Sequence, residues 1–177
     1  MSDDGHEIGC HGLNHINTSE FKNEPILYYM KEVRPANEIL ETLGFNIESF
    51  AYPFGNSNEQ IDSLLMNYFS VLRKAMWNFN DTTIDYYDDI YAYKHSFRNV
   101  NSMGIDNNYN ISLKNLESGL IRANQNNEVL VLHCHRIKNT SDNYTVTPEF
   151  LENAFILVNK YKLKSVSMCD LKNFFNE

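Results

Sequence analysis

Residues 5–15 read GHEIGCHGLNH and contain three of the six histidines of this 177-residue chain. The first part, residues 6–10, predicts a short strand that leads into a loop. His11 and His15 then follow four residues apart, so a compact loop would let both imidazoles face a common point. This spacing is typical of a metal site, but it also arises by chance, so a purely structural role stays open.

A second histidine cluster follows a short apolar run. Residues 128–134 predict a buried strand, and the cluster of His133, Cys134 and His135 lies at its carboxyl end. On a strand, residues two apart share a face, so His133 and His135 would point one way and Cys134 the other. The carboxyl end of a parallel strand is where α/β enzymes keep their chemistry, although a pair of hydrogen-bonded histidines would look the same.

Apolar periodicity and turn residues predict alternating strands and helices along the whole chain. Predicted strands cover residues 6–10, 46–52, 69–76, 94–100, 128–134 and 164–168. Predicted helices cover residues 17–43 with a break near Pro35, a segment capped by Ser57 or Asn58, residues 112–126 and 147–162, and a short helix from Asp170. This order is typical of one α/β domain over residues 1–177 with a largely parallel sheet.

Composition excludes some classes of partner. The net charge of −8 and the pI near 5.2 oppose binding to a nucleic acid backbone. The longest apolar runs are too short for a transmembrane segment, and the N-terminus lacks a signal-peptide pattern, so the compartment is unknown. The three cysteines have no CxxC spacing, so they do not form a disulfide framework. Cys10 and Cys134 each lie beside histidines, which makes a metal role an alternative, but we expect both to be small buried residues on strands.

Three segments, in order, resemble motifs of the polysaccharide deacetylases (carbohydrate esterase family four). Residues 5–15 look like the second motif, a GHEIG-type strand followed by H-[ST]-x-x-H. Residues 50–55, FAYPFG, resemble the third motif, which ends in P-Y-G or P-F-G. Residues 130–133, LVLH, resemble the last motif. Each motif alone is modest, but the ordered set over residues 5–135 is specific.

The resemblance implies a fold, a substrate and a set of roles. The fold would be a distorted (β/α) barrel, and the substrate an N-acetylated or O-acetylated sugar polymer, acted on at the cell envelope or outside the cell. His11 and His15 would bind a divalent metal, usually zinc. The backbone N–H of Phe54, after Pro53, would help to hold the oxyanion. His133 would act as the general acid.

The chain departs from the family pattern at two positions. Gly12 stands where Ser or Thr usually follows the first metal histidine, so we expect a looser site. The third motif often carries an Arg just before the proline, where Tyr52 stands here. Arg73, on the next predicted strand, is our candidate for a replacement guanidinium.

The first motif of the family, Thr-Phe-Asp-Asp, supplies the catalytic base and the third metal ligand, and it is missing here. Only four residues precede Gly5, whereas a βαβ unit takes about 30 residues. The pair Asp3-Asp4 matches the turn before the second motif better. We therefore expect a domain without its first strand–helix unit, a weakened metal site with His135 or an Asp3-Asp4 carboxylate as third ligand, and little activity.

The missing unit has a further consequence. Without its neighbour, the strand at residues 6–10 would be an exposed edge, which predicts self-association. A non-catalytic metal- or glycan-binding relative of the family is the main alternative to an enzyme. A hydrolase that uses a cysteine nucleophile is a distant third, because Cys134 would point away from the histidines beside it.

Overall fold

The computed structural model describes residues 4–76, 83–93 and 98–174. The chain divides into two compact units. The first comprises Met1–Ala75, Ser96–Val100 and Val166–Glu177, and the second comprises Met76–His95 and Asn101–Ser165.

Helices and short strands alternate along the described residues. The strands are β1 Ser49–Ala51, β2 Val71–Ala75, β3 Tyr91–Ala92, β4 Asn99–Gly104, β5 Val129–Leu130, β6 Leu132–His133, β7 Arg136–Ile137 and β8 Thr145–Val146. The helices are α1 Pro25–Tyr28, α2 Arg34–Thr42, α3 Glu59–Leu65, α4 Leu113–Asn126, α5 Pro148–Lys160 and α6 Leu171–Phe174. The β1–β2, β4–β6 and β7–β8 ladders are parallel and the β3–β5 ladder is antiparallel, which confirms the predicted α/β class.

In the first unit, β1 pairs in parallel with β2, with Ser49 opposite Val71. Cys10 bridges to β1 from the side, because its N–H donates to the Ser49 carbonyl at 2.9 Å. The strand predicted at residues 6–10 is thus reduced to a single bridge. Gly9 lies so close to β1 that an added Cβ would come within 2.6 Å of the Ser49 hydroxyl oxygen.

The predicted break near Pro35 is a wide helical turn instead. A π-helical turn, Tyr29–Val33, joins α1 to α2, and the Arg34 N–H donates to the Tyr29 carbonyl across it. Proline has no N–H, and a wide turn placed just before Pro35 accommodates the hydrogen bond that is lost. The helical run ends at Gly44 as predicted, with a left-handed φ of +89°.

Three predicted helix starts are confirmed by their caps, and one differs. The Asn17 side chain accepts from Ser19 N–H but caps only the 3₁₀ turn Thr18–Phe21, and the helical run starts at Pro25 without a side-chain cap. The Asn58 side chain accepts from Ile61 N–H at the start of α3. Ser112 and Thr147 cap α4 and α5 in the same way.

An aromatic cluster fills the core of the first unit, where the Phe50 ring lies 5.1 Å from Tyr52 and 5.3 Å from Phe69 between centroids.

In the second unit, the end of β4 pairs in parallel with β6, with Gly104 opposite His133. The strand predicted over residues 128–134 is divided at Val131 into β5 and β6, which pair with different strands. Val131 is buried and bonds to both sides, because its N–H donates to Ile90 and its carbonyl accepts from Met103. The strand residues around it are only half-buried, contrary to the prediction.

Two other predicted strands differ from the structure. The strand predicted at residues 94–100 is β4, which begins later, and residues 94–97 lie outside the described residues. Residues 164–168 are described and form no strand. Within the described ranges, no helix is both long and apolar enough to cross a membrane.

Candidate functional site

The predicted metal loop lies in the first unit, and a backbone carbonyl orients its first histidine. His11 Nδ1 lies 2.7 Å from the carbonyl oxygen of Ala51. A carbonyl only accepts, so Nδ1 carries the hydrogen and donates it. The lone pair is then on His11 Nε2, which becomes the nitrogen able to bind a metal.

The structure brings His15 next to His11, as the spacing predicted. The two imidazole centroids are 4.9 Å apart, with the rings edge to face. His15 has a φ of +58°, in the left-handed region that few residues other than glycine adopt. Its ring also meets Phe54, at 4.6 Å between centroids. The loop therefore accepts local backbone strain to place two imidazoles side by side.

A buried carboxylate, Glu32, supports this loop. Glu32 is fully buried in the π-helical turn. Its Oε2 accepts from the N–H groups of Asn14 and Ile16 at 3.0 and 3.3 Å, and its Oε1 accepts from Asn14 Nδ2 at 2.8 Å. The Glu32 carbonyl also accepts from Leu13 N–H at 2.9 Å. These bonds fix the segment between the two histidines.

Gly12 fits this support closely. Its φ is +79°, and an added Cβ would lie 3.3 Å from Glu32 Oε2 and 3.5 Å from Pro53 Cγ. The Ser or Thr that the family places at this position would be strained here. Glu32 supplies the support that we expected the loop to lack.

The third motif forms a tight turn next to His15. Pro53–Gly55 is a 3₁₀ turn in which Phe54 has a left-handed φ of +56° and its side chain is half exposed. Gly55 packs directly on the Ala75 backbone, leaving no room for a Cβ. The turn places the ring of Phe54 against the His15 ring, and the oxyanion role of the Phe54 N–H stays a prediction.

Tyr52 belongs to the core. Its hydroxyl donates to Asp62 Oδ1 at 2.5 Å, and Asp62 also accepts from Ser57 and Asn99. Burial, followed by the hydrogen bond to Asp62, raises the pKa of Tyr52 far above its ordinary value. The carbonyl of the half-buried Arg73 accepts from Tyr52 N–H at 3.0 Å, and the role of the Arg73 guanidinium stays a prediction.

The second unit holds His133 between two hydroxyl groups. Its Nδ1 lies 2.9 Å from the Ser102 hydroxyl, and its Nε2 lies 3.4 Å from the Tyr109 hydroxyl. Ser102 is fully buried and Tyr109 nearly so. Gly104 makes this possible, because a Cβ at that position would collide with the Tyr109 ring.

His135 is held by a carboxylate instead. Asp106 Oδ2 lies 2.7 Å from His135 Nδ1, and Asp106 Oδ1 accepts from the His135 backbone N–H at 3.0 Å. The Asp106 side chain is fully buried. A carboxylate on one imidazole nitrogen fixes the tautomer and leaves the other nitrogen for proton transfer. The His133 and His135 rings lie 5.7 Å apart between centroids, so the structure brings this predicted pair together.

Comparison with known proteins identifies the N-terminal part. Residues 1–68 match the polysaccharide deacetylase family. This confirms the resemblance over 68 of the 177 residues, a deacetylase segment that contains the second and third motifs but not the last. No curated protein is a match for the chain.

The matched segment places two imidazoles, His11 and His15, on one loop. Two imidazoles fit two positions of a zinc site. In His11, the hydrogen bond from Nδ1 to the Ala51 carbonyl leaves Nε2 as the nitrogen that could bind the metal. In the ranges 4–76, 83–93 and 98–174, however, no group of three or more His, Cys, Asp or Glu side chains forms a metal site. The third ligand stays a prediction, and Asp3, one candidate, lies outside the described residues.

Cys10 is buried, as predicted, whereas Cys134 is exposed, contrary to the prediction. Neither cysteine resembles an activated nucleophile. Burial raises the pKa of the Cys10 thiol, and partial desolvation followed by the Asp106 charge raises that of Cys134. A reactive cysteine needs a lowered pKa, so these directions disfavour a cysteine-dependent hydrolase.

Sequence reasoning missed two carboxylates, Glu32 under the loop of the first unit and Asp106 beside His135 in the second unit. Glu32 lies four residues after the buried Tyr28, on the same helical face, so an acidic residue at a core position was the available clue. Asp106 lies just after β4, in a stretch with no steady period, and only its place after a strand marks it.

Proposed function

We propose that this protein is a metal-dependent hydrolase that removes acetyl groups from N-acetylated or O-acetylated sugar polymers. The observation that carries the proposal is the deacetylase segment itself, which contains His11 and His15. The side-by-side rings and the oriented Nε2 of His11 support a metal-binding role for the pair.

The residues present suggest how the chain would take part. His11 and His15 would hold a divalent metal, zinc for preference, which when bound supplies a Lewis acid for the acetyl carbonyl and a source of hydroxide. The N–H of Phe54 would donate to the oxygen that becomes negative. As the amide C–N bond breaks, His133 would give a proton to the leaving nitrogen. The Ser102 hydroxyl can accept from His133 Nδ1, which leaves Nε2 to hold that proton.

For the fold, we propose the distorted (β/α) barrel of the family without its first strand–helix unit. The parallel ladders β1–β2 and β4–β6 and the alternating helices support a fold of this type. Self-association through an edge at residues 6–10 stays a prediction.

A non-catalytic relative that binds metal or glycan is the second candidate. It is favoured because the described residues give the histidine pair no third ligand. A catalytic zinc usually has three protein ligands and a water, so we expect slow turnover even if the chain is an enzyme.

Acetate release from tetra-N-acetylchitotetraose tests the proposal. We expect slow release that needs added zinc, stops with a chelator and disappears in the double variant His11→Ala/His15→Ala. His6→Ala is the matched control, because His6 is an exposed histidine of the same segment and should leave the rate unchanged. Wild-type release no faster than buffer would favour the non-catalytic relative, and release that survives the double variant would exclude this metal site.

A further inference from the structure

A strained aromatic residue lies next to the second histidine pair. Tyr144 ends the loop between β7 and β8, and 43% of it is exposed. Its φ is +57°, in the left-handed region where a bulky side chain is an outlier. Strain of this kind persists only where the surroundings hold it in place, and it concentrates at functional sites.

Polar contacts fix the backbone of Tyr144 from both sides. Its N–H donates to Asn108 Oδ1 at 2.7 Å, and its carbonyl accepts from Arg136 N–H at 3.3 Å. The next residue, Thr145, is fully buried, and its hydroxyl accepts from Asn107 Nδ2 at 3.0 Å. Asn107 Nδ2 also donates to the carbonyl of Thr140, at 2.9 Å, so this one amide bonds to two separate residues around the loop. The ring is therefore presented on a rigid frame.

The Tyr144 ring packs against one neighbouring ring, and the residue stays 43% exposed. Its edge-to-face partner is His135, at 5.0 Å between centroids, and Asp106 holds His135 from behind. Polar side chains of the same loop, Asp142 and Asn143, are exposed. A partly exposed aromatic ring with carboxylate and amide groups on the same loop suits a pyranose ring, whose C–H face can meet the π face while its hydroxyls reach the polar groups.

We propose that Tyr144 is the stacking platform of a sugar-binding subsite beside His135. The choice of a glycan over another planar or cyclic ligand rests on the proposed function, and the net charge of −8 disfavours a nucleic acid. The subsite would hold one sugar ring of the polymer next to the histidine pair of the second unit. It is a binding role, and the platform takes no part in bond breaking.

Calorimetric titration with tetra-N-acetylchitotetraose, without metal, measures this role apart from turnover. Tyr144→Asn removes the ring but suits a left-handed backbone, since Asn tolerates that region better than other non-glycine residues. We expect Tyr144→Asn to raise Kd roughly ten-fold or more, as loss of an aromatic stacking partner typically does. Tyr144→Phe should stay within about two-fold of wild type, because stacking needs the ring and not the hydroxyl.

The control is Tyr86→Asn, at an exposed tyrosine on a different turn of the same unit, which should bind like wild type. Nuclear Overhauser contacts between the Tyr144 ring and sugar C–H protons in the wild type give a second readout that needs no variant. Wild-type affinity in Tyr144→Asn, or no binding by the wild type, would overturn the subsite. Metal-dependent acetate release would support the proposed function whether or not Tyr144 contributes to binding. Binding that depends on Tyr144, without any acetate release, would support the subsite and count against the proposed function.

Discussion

Replacing Glu32 with Ala should lower the free energy of unfolding by about 3 kcal/mol, because a buried, multiply bonded carboxylate is lost. The Glu32 side chain is fully buried and accepts from two N–H groups and an amide of the segment between His11 and His15. Its removal leaves those donors without their acceptor and opens a cavity beneath the loop. The two histidines should then lose their fixed positions.

Urea denaturation followed by circular dichroism measures the change in stability. Glu41→Ala is the matched control, because Glu41 is an exposed glutamate of α2 and should change stability by no more than about 0.5 kcal/mol. Glu32→Gln keeps one oxygen acceptor, so its free energy of unfolding should lie between those of the two alanine variants. Equal stability of Glu32→Ala and Glu41→Ala would show that Glu32 does not support the loop.

His133→Ala should lower kcat/KM for acetylated chitotetraose by about 10²- to 10⁴-fold, the usual contribution of a general acid. His133 lies opposite Gly104 at the end of β6, with hydroxyl groups near both ring nitrogens. Loss of the imidazole would leave the amine to depart without a proton. Single-turnover assays of acetate release measure the effect even where turnover is slow.

His135→Ala is the matched comparison, since it removes a neighbouring imidazole of the same cluster. We expect it to change kcat by less than about ten-fold, because the family resemblance gives the acid role to His133. A larger loss of activity in His135→Ala than in His133→Ala would assign the general-acid role to His135, whose imidazole is bonded to the Asp106 carboxylate. Equal and small effects from both variants would remove the second cluster from the chemistry.

Local patterns predicted the elements whose cause is local. Asn58, Ser112 and Thr147 cap α3, α4 and α5 because a short polar side chain before an apolar run satisfies the first N–H groups wherever the helix lies. Gly44 ends a helix for a similarly local reason. The first histidine pair was also predictable, since its spacing brings both side chains together on one loop. The rings of the second pair also lie close together, but strand alternation is not the reason, because β6 ends at His133 and His135 lies in the bend that follows.

Features that depend on partners were not predictable. Residues 128–134 look like one strand, but Val131 bonds to Ile90 on one side and Met103 on the other, and the strand divides there. Residues 164–168 have a strand-like sequence but form no strand. The carboxylates of Glu32 and Asp106 take their roles from segments distant in sequence, Asn14 to Ile16 and His135, which periodicity does not report.

Zinc titration of the purified chain, followed by dialysis against a chelator, tests the central claim that the His11–His15 loop is a metal site. We expect the wild type to bind up to one equivalent of zinc, weakly enough for the chelator to remove it, because the described residues provide no third ligand beside the pair. His11→Ala and His15→Ala should bind none, and His6→Ala should bind like the wild type. Zinc binding that is unchanged in the His11 and His15 variants would show that the pair does not form the metal site.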